Sequence, residues 1–84
     1  MKLTKGEYCQ FNLKSRITLL KGRGKLLFRK KLDNIYEIML FRIYDFYVEV
    51  FYNYKTRKIL TADPILNVNW LDFYLKDINL NSLL

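Results

Sequence analysis

The sequence predicts an α+β fold: a four-stranded antiparallel meander flanked by an N-terminal and a C-terminal helix, in the order α-β-β-β-β-α. Three observations predict it. Apolar residues recur at helical spacing between residues 4 and 20. Between residues 26 and 61 they come in four short bursts separated by turn residues, and helical spacing returns over residues 68–78. Short connections between successive strands favour antiparallel neighbours.

The elements follow in order. Thr4 and Glu7 stand three apart, the spacing of a capping box that opens a helix. Cys9, Leu13, Ile17 and Leu20 then form one apolar stripe, which reads as a single helix with Cys9 buried and inert on its inner face. Lys21-Gly22-Arg23-Gly24-Lys25 ends that helix, with glycine where a C-cap takes positive φ. Residues 26–32 read as a short basic strand and Asp33-Asn34 as a turn. Residues 35–43 are nearly all apolar, with Glu37 and Arg42 their only charges, as in a central strand covered on both faces. Asp45 marks the next turn. Residues 46–52 alternate, with Phe46, Val48, Val50 and Tyr52 on one face and Tyr47, Glu49 and Phe51 on the other. After a turn at residues 53–56, residues 57–61 form the last strand, and Pro64 closes the sheet. Asn67 or Asn69 then caps a second helix whose inner stripe is Val68, Leu71, Tyr74, Leu75 and Ile78.

The length of 84 residues suits one domain, residues 1–84, with a thin core. Aromatic side chains, 17% of the chain, offset that thinness because each buries about 150–250 Å². Lys, Asn, Ile, Phe and Tyr are abundant while Ala and Pro occur once each, a usage typical of A/T-rich genes. It points to a low-G+C bacterium or one of its mobile elements. No apolar run approaches the ~20 residues that span a bilayer, and no signal-peptide pattern follows Met1. With Cys9 the only cysteine, no intrachain disulfide forms. The expected location is the cytoplasm, with no membrane partner.

Charge carries the main functional signal. The net charge is +7, and residues 1–32 hold ten Lys or Arg against one acid. Lys21, Arg23, Lys25, Arg29, Lys30 and Lys31 cluster around the glycine pair and the first strand. Glycines let a backbone approach a phosphate, and flanking cations pair with it. The same cations also serve to solvate an edge strand and keep it from aggregating. An acidic protein groove would be an equally suited counterpart. The aromatic candidates are Tyr47 and Phe51 on one strand face, and Trp70 and Phe73, which fall off the second helix's inner stripe. Beside Asp72, Lys76 and Asp77, Trp70 and Phe73 resemble a binding hot spot with a polar rim. Alternatively, Leu80, Leu83 and Leu84 fold back and cover both rings.

Catalytic chemistry has little to work with. The chain has no His, which removes the commonest acid–base group and metal ligand. No nucleotide-binding glycine pattern is present, and Glu37 and Glu49, if neighbours on adjacent strands, are more simply explained by pairing with Arg42 or a lysine. No cofactor, metal or small-molecule substrate is expected, and the chain is read as non-enzymatic.

Tyr36-Glu37-Ile38 through Arg42, followed by the Tyr47 strand, distantly resembles the sheet of RelE-type mRNA-cleaving toxins over residues 35–62. Those are small basic proteins using Arg, Lys and Tyr on an antiparallel sheet, with two helices before it where this chain has room for one. The resemblance implies a ribonuclease in which Arg42 and Tyr47 matter. Residues 44–52 and 71–83, with Tyr74-Leu75 and Ile78, resemble small uncharacterised Bacteroidota proteins, which implies no activity. In size and composition the chain is also similar to phage-borne inhibitors of host defence such as anti-CRISPR proteins. The expected function is therefore an interaction protein binding a nucleic-acid-handling protein or ribonucleoprotein, with anti-CRISPR-type inhibition of an RNA-guided nuclease as its specific form. The alternatives are nucleic-acid binding without sequence preference, with the basic side chains on phosphates and Tyr or Phe stacking on bases, and the RelE-like ribonuclease.

Overall fold

In the computed structural model, which describes residues 3–65, Thr4 opens the first helix through the capping box that its spacing predicts. The Glu7 N–H donates to Thr4 Oγ1 at 3.1 Å, and the Thr4 N–H donates to Glu7 Oε1 at 3.0 Å. The helix is short. Helix α1 spans Lys5–Cys9, and a second helix, α2, spans Leu13–Arg23. The break comes from Asn12, a favoured N-cap, whose Oδ1 accepts the Ser15 N–H at 2.8 Å. Arg16 reaches back to hold the turn, donating from Nη2 to Cys9 O and from Nε to Phe11 O, both at 2.9 Å.

The single N-terminal helix expected from the apolar stripe is thus two helices, and of the stripe Leu20 is buried and Ile17 half-buried. Cys9 and Leu13 are exposed, correcting the reading of Cys9 as buried. The inward groups are Tyr8, Leu20 and the half-buried Leu19. A break of three residues rotates the second helix relative to the first, which defeats any stripe counted across it.

The glycine reading changes as well. Helix α2 runs through Gly22 to Arg23, and Gly24 caps it at φ −81° and ψ 151°, so neither glycine has positive φ. Close approach is what requires Gly24: a Cβ there would lie 2.7 Å from Leu20 O. The chain passes from helix to strand without the two-glycine loop expected to let the backbone approach a phosphate.

Strands β1 (Lys25–Lys31), β2 (Tyr36–Ile43), β3 (Phe46–Asn53) and β4 (Lys58–Pro64) form one antiparallel sheet in the order β1-β2-β3-β4. The predicted meander is present. Its turns use the residues that favour them: Asp33 Oδ1 accepts the Ile35 and Tyr36 N–H groups at 2.7 Å, and Asn53 Oδ1 accepts those of Lys55 and Thr56 at 3.0 Å. The backbone donors of Tyr36 and Ile35 hold the Asp33 carboxyl below the usual carboxylate range. The register slips once in each outer strand, leaving Leu27 of β1 and Leu60 of β4 without an opposite residue.

The pairing sorts side chains onto two faces. One carries Met39, Phe41, Ile43, Phe46, Val48, Val50 and Ala62 and packs under the helices around Tyr8 and Leu20. Helix α1 lies against β4, and α2 against β2 and β4. The other face carries buried Ile38 and Leu40, with Leu27, Phe28, Tyr47, Phe51 and Ile65 packed beside them. Strand β2 is therefore buried on both faces, as its nearly continuous apolar run implies. The expected C-terminal helix, with Trp70 and Phe73, lies outside the described residues.

Tyr8 joins the helices to the sheet. It is fully buried, its hydroxyl donates to Ala62 O at 2.9 Å, and its ring meets Phe46 edge-on at 5.5 Å. Arg16 stacks over the same ring at 5.1 Å and donates from Nη1 to Asp63 Oδ1 at 2.7 Å. Burial pushes the Tyr8 phenol up to about 12 from 10.0. The folded state therefore holds this proton more tightly than the unfolded chain. That contribution to stability is complete below pH 10 and is lost as the pH rises toward about 12. Urea denaturation across this range should show a fall in stability that is smaller in Tyr8→Phe, which has no phenol to ionise there.

Candidate binding surface at the basic end of the sheet

Six basic residues cluster in the sequence, and the fold divides them. Lys21 and Arg23 occupy the last turn of α2, where cations favour the helix C-terminus by about 0.3–1 kcal/mol each. The other four lie on β1, split between its faces. Lys25 pairs with Arg42 and Lys30 with Ile38 on the face opposite the helices, while Arg29 pairs with Met39 and Lys31 with Glu37 on the helix-bearing face. The six therefore do not form one flat patch.

Their chemical states differ too. Arg29 donates from Nε to Glu37 Oε1. Glu37 is the buried charge of the sheet, its side chain 6% exposed against 59% for Arg29. The bond and the carboxylate charge raise the Arg29 pKa further. Lys31 lies over the Tyr54 ring at 5.1 Å, and the Tyr54 hydroxyl donates to Asp33 O. Glu37 and Glu49 face opposite sides of the sheet, and Glu37 takes Arg29 as its partner in place of Arg42.

Arg29 is thus a structural residue as well as a surface cation. Arg29→Ala strands a buried carboxylate and should destabilise the fold by about 1–3 kcal/mol in urea denaturation. Exposure of the guanidinium keeps this below the cost of breaking a fully buried pair. Adding Glu37→Leu to Arg29→Ala should recover most of the loss, because it removes the stranded charge.

Lys21, Arg23, Lys25 and Arg42 form no ion pair among the described residues, and all four are exposed. The register brings Lys25, Arg42 and Tyr47 into one row across β1, β2 and β3. That row lies at the end of the sheet where α2 delivers the chain to β1 and where the β2–β3 hairpin turns. Arg42, in sequence an isolated charge within an apolar run, thereby joins the basic group. The signal was its parity: it shares a strand face with Leu40 and Ile38, two and four residues back.

The aromatic candidates separate as well. Tyr47 and Phe51 lie on the face that α1 and α2 do not cover, and both are half-buried against Ile38 and Leu40. Trp70 and Phe73 fall outside the described residues. Among the described residues, no group of His, Cys, Asp and Glu is placed to hold a metal, and no helix is long and apolar enough to cross a membrane. Compared with family models, curated proteins and solved structures, the chain has no match.

Proposed function

We propose that this chain is a non-enzymatic interaction protein that acts in the cytoplasm by binding a nucleic-acid-handling protein or ribonucleoprotein. An anti-CRISPR-type inhibitor of an RNA-guided nuclease is one specific form of this reading. The observation that carries it is the group of exposed cations Lys21, Arg23, Lys25 and Arg42, which lack acidic partners among the described residues. Uncompensated charge at one end of a small domain steers it toward an acidic surface and speeds encounter. Tyr47 supplies an aromatic contact in the same row.

A C-terminal helix over residues 67–78, carrying Trp70 and Phe73, belongs to the same proposal. Supporting it, Ile38 and Leu40 are buried on the face that α1 and α2 leave uncovered, and the chain reaches Ile65 beside them.

A second reading has its own support. Two helices precede the sheet here, as in RelE-type toxins, where one had been expected. The Lys25–Arg42–Tyr47 row also sets the three side-chain types that those toxins use on one sheet face. Incubation with single-stranded RNA separates the readings. An interaction protein leaves the RNA intact, whereas cleavage that disappears in Arg42→Ala and Tyr47→Phe would make the chain a ribonuclease. Affinity capture from nuclease-treated bacterial lysate tests the leading reading: a nucleic-acid-handling protein should be retained by the native chain and lost from a variant neutralised at the four cations.

A further inference from the structure

We propose that the outer edge of β1 is a strand-addition site for an extended acidic segment of the partner; this rests on the protein-partner reading above and deepens it. The backbone supports it first. Among the described residues β1 has a neighbouring strand on one side only, and Lys25, Leu26, Arg29, Lys30 and Lys31 are exposed. The Leu32 N–H donates to Tyr36 O at 2.9 Å, making Leu32 and Tyr36 a hydrogen-bonded pair. Such pairs alternate along an antiparallel ladder, so the N–H and C=O groups of Arg29 and Lys31 point away from β2. The opposite edge, β4, has α1 and α2 packed against it.

The distribution of charge then selects the occupant. Lys25 projects on one face of the sheet, and Arg29 and Lys31 on the other. A nucleic-acid strand lying along one surface would meet only one of these sets. A polypeptide strand places side chains alternately on both faces with the same two-residue period, so acids on both its faces meet cations on both faces of β1. Leu26 and Leu32, each over 40% exposed, offer apolar contacts at either end of the basic stretch. A second copy of β1 would set Lys and Arg against Lys and Arg, which disfavours self-pairing. Basic residues on an edge also guard it against aggregation, and that role by itself predicts no strand partner.

The test is a binding titration of the full chain with a short labelled peptide of alternating Glu-Glu and Val-Thr pairs, which carries acids on both faces. Its comparison is the same peptide N-methylated at every second residue, which keeps the charge and removes main-chain donors. The parent peptide is expected to bind, and the methylated one to bind about tenfold more weakly. Lys31→Pro, which removes an outward N–H without breaking the ladder to β2, should lose more affinity than Lys31→Ala, which removes the charge and the Tyr54 contact but keeps the N–H. Should Lys31→Pro fail to fold, the peptide comparison decides alone. Equal binding of the two peptides would overturn strand addition and leave the protein-partner reading standing. Failure of both peptides to bind, with tight binding of an oligouridine RNA, would overturn both.

Discussion

Tyr8→Ala is expected to leave most of the chain unfolded, with loss of the cooperative urea transition seen by circular dichroism. The ring is fully buried between the helices and the sheet, meets Phe46 edge-on and carries Arg16 on its face. Truncating a buried aromatic costs about 3–5 kcal/mol, while total stabilities of small domains begin near 5 kcal/mol. Tyr8→Phe separates the ring from its hydroxyl. It loses the bond to Ala62 O, but that carbonyl still accepts from Arg16 Nη1 at 3.2 Å. The phenylalanine variant should therefore fold with a loss of about 1 kcal/mol. A Tyr8→Ala protein as stable as the native chain would mean that the helices do not depend on this contact.

Neutralising Lys21, Arg23, Lys25 and Arg42 together should slow association with the captured partner on the order of a hundredfold. Dissociation should change less, because long-range charge governs encounter more than residence. The fold should tolerate the change. None of the four has an acidic partner among the described residues, and loss of the two α2 cations costs about 0.3–1 kcal/mol each. Kinetic binding measurements at low and high salt would check this, since added salt should reduce the native chain's association rate far more than the variant's. Arg29 is unsuited to the same test: its removal strands Glu37, so lost binding and lost folding would be confounded.

Much of the sheet was legible because its signals are local. Asp33, Asn53 and the Tyr44-Asp45 hairpin mark turns, and the alternation from Phe46 to Tyr52 assigns faces without knowledge of the partner strands. The helical region was less legible because its decisive contacts are distant or small. Asn12 capping cuts the apolar stripe, and Arg16 secures the break with contacts as far away as Asp63. Gly24 follows from a carbonyl four residues back, a close approach invisible in sequence, where the glycine reads as a C-cap with positive φ. The basic residues were visible in sequence, but their division was not. Register sends Lys25 and Arg29 to opposite faces, places Arg42 beside Lys25 and ties Arg29 to Glu37.

The central claim is that the basic end of this sheet serves a protein partner. It is tested most directly by titrating the labelled full chain with single-stranded RNA and, in parallel, with poly-L-glutamate, at low salt and at about 0.15 M. The account predicts that poly-L-glutamate binds at the higher salt, that neutralising the four cations abolishes this binding, and that RNA binds more weakly than about 10 µM. RNA binding at micromolar affinity or tighter, falling steeply with salt and exceeding that of poly-L-glutamate, would contradict it and make the chain a nucleic-acid-binding protein.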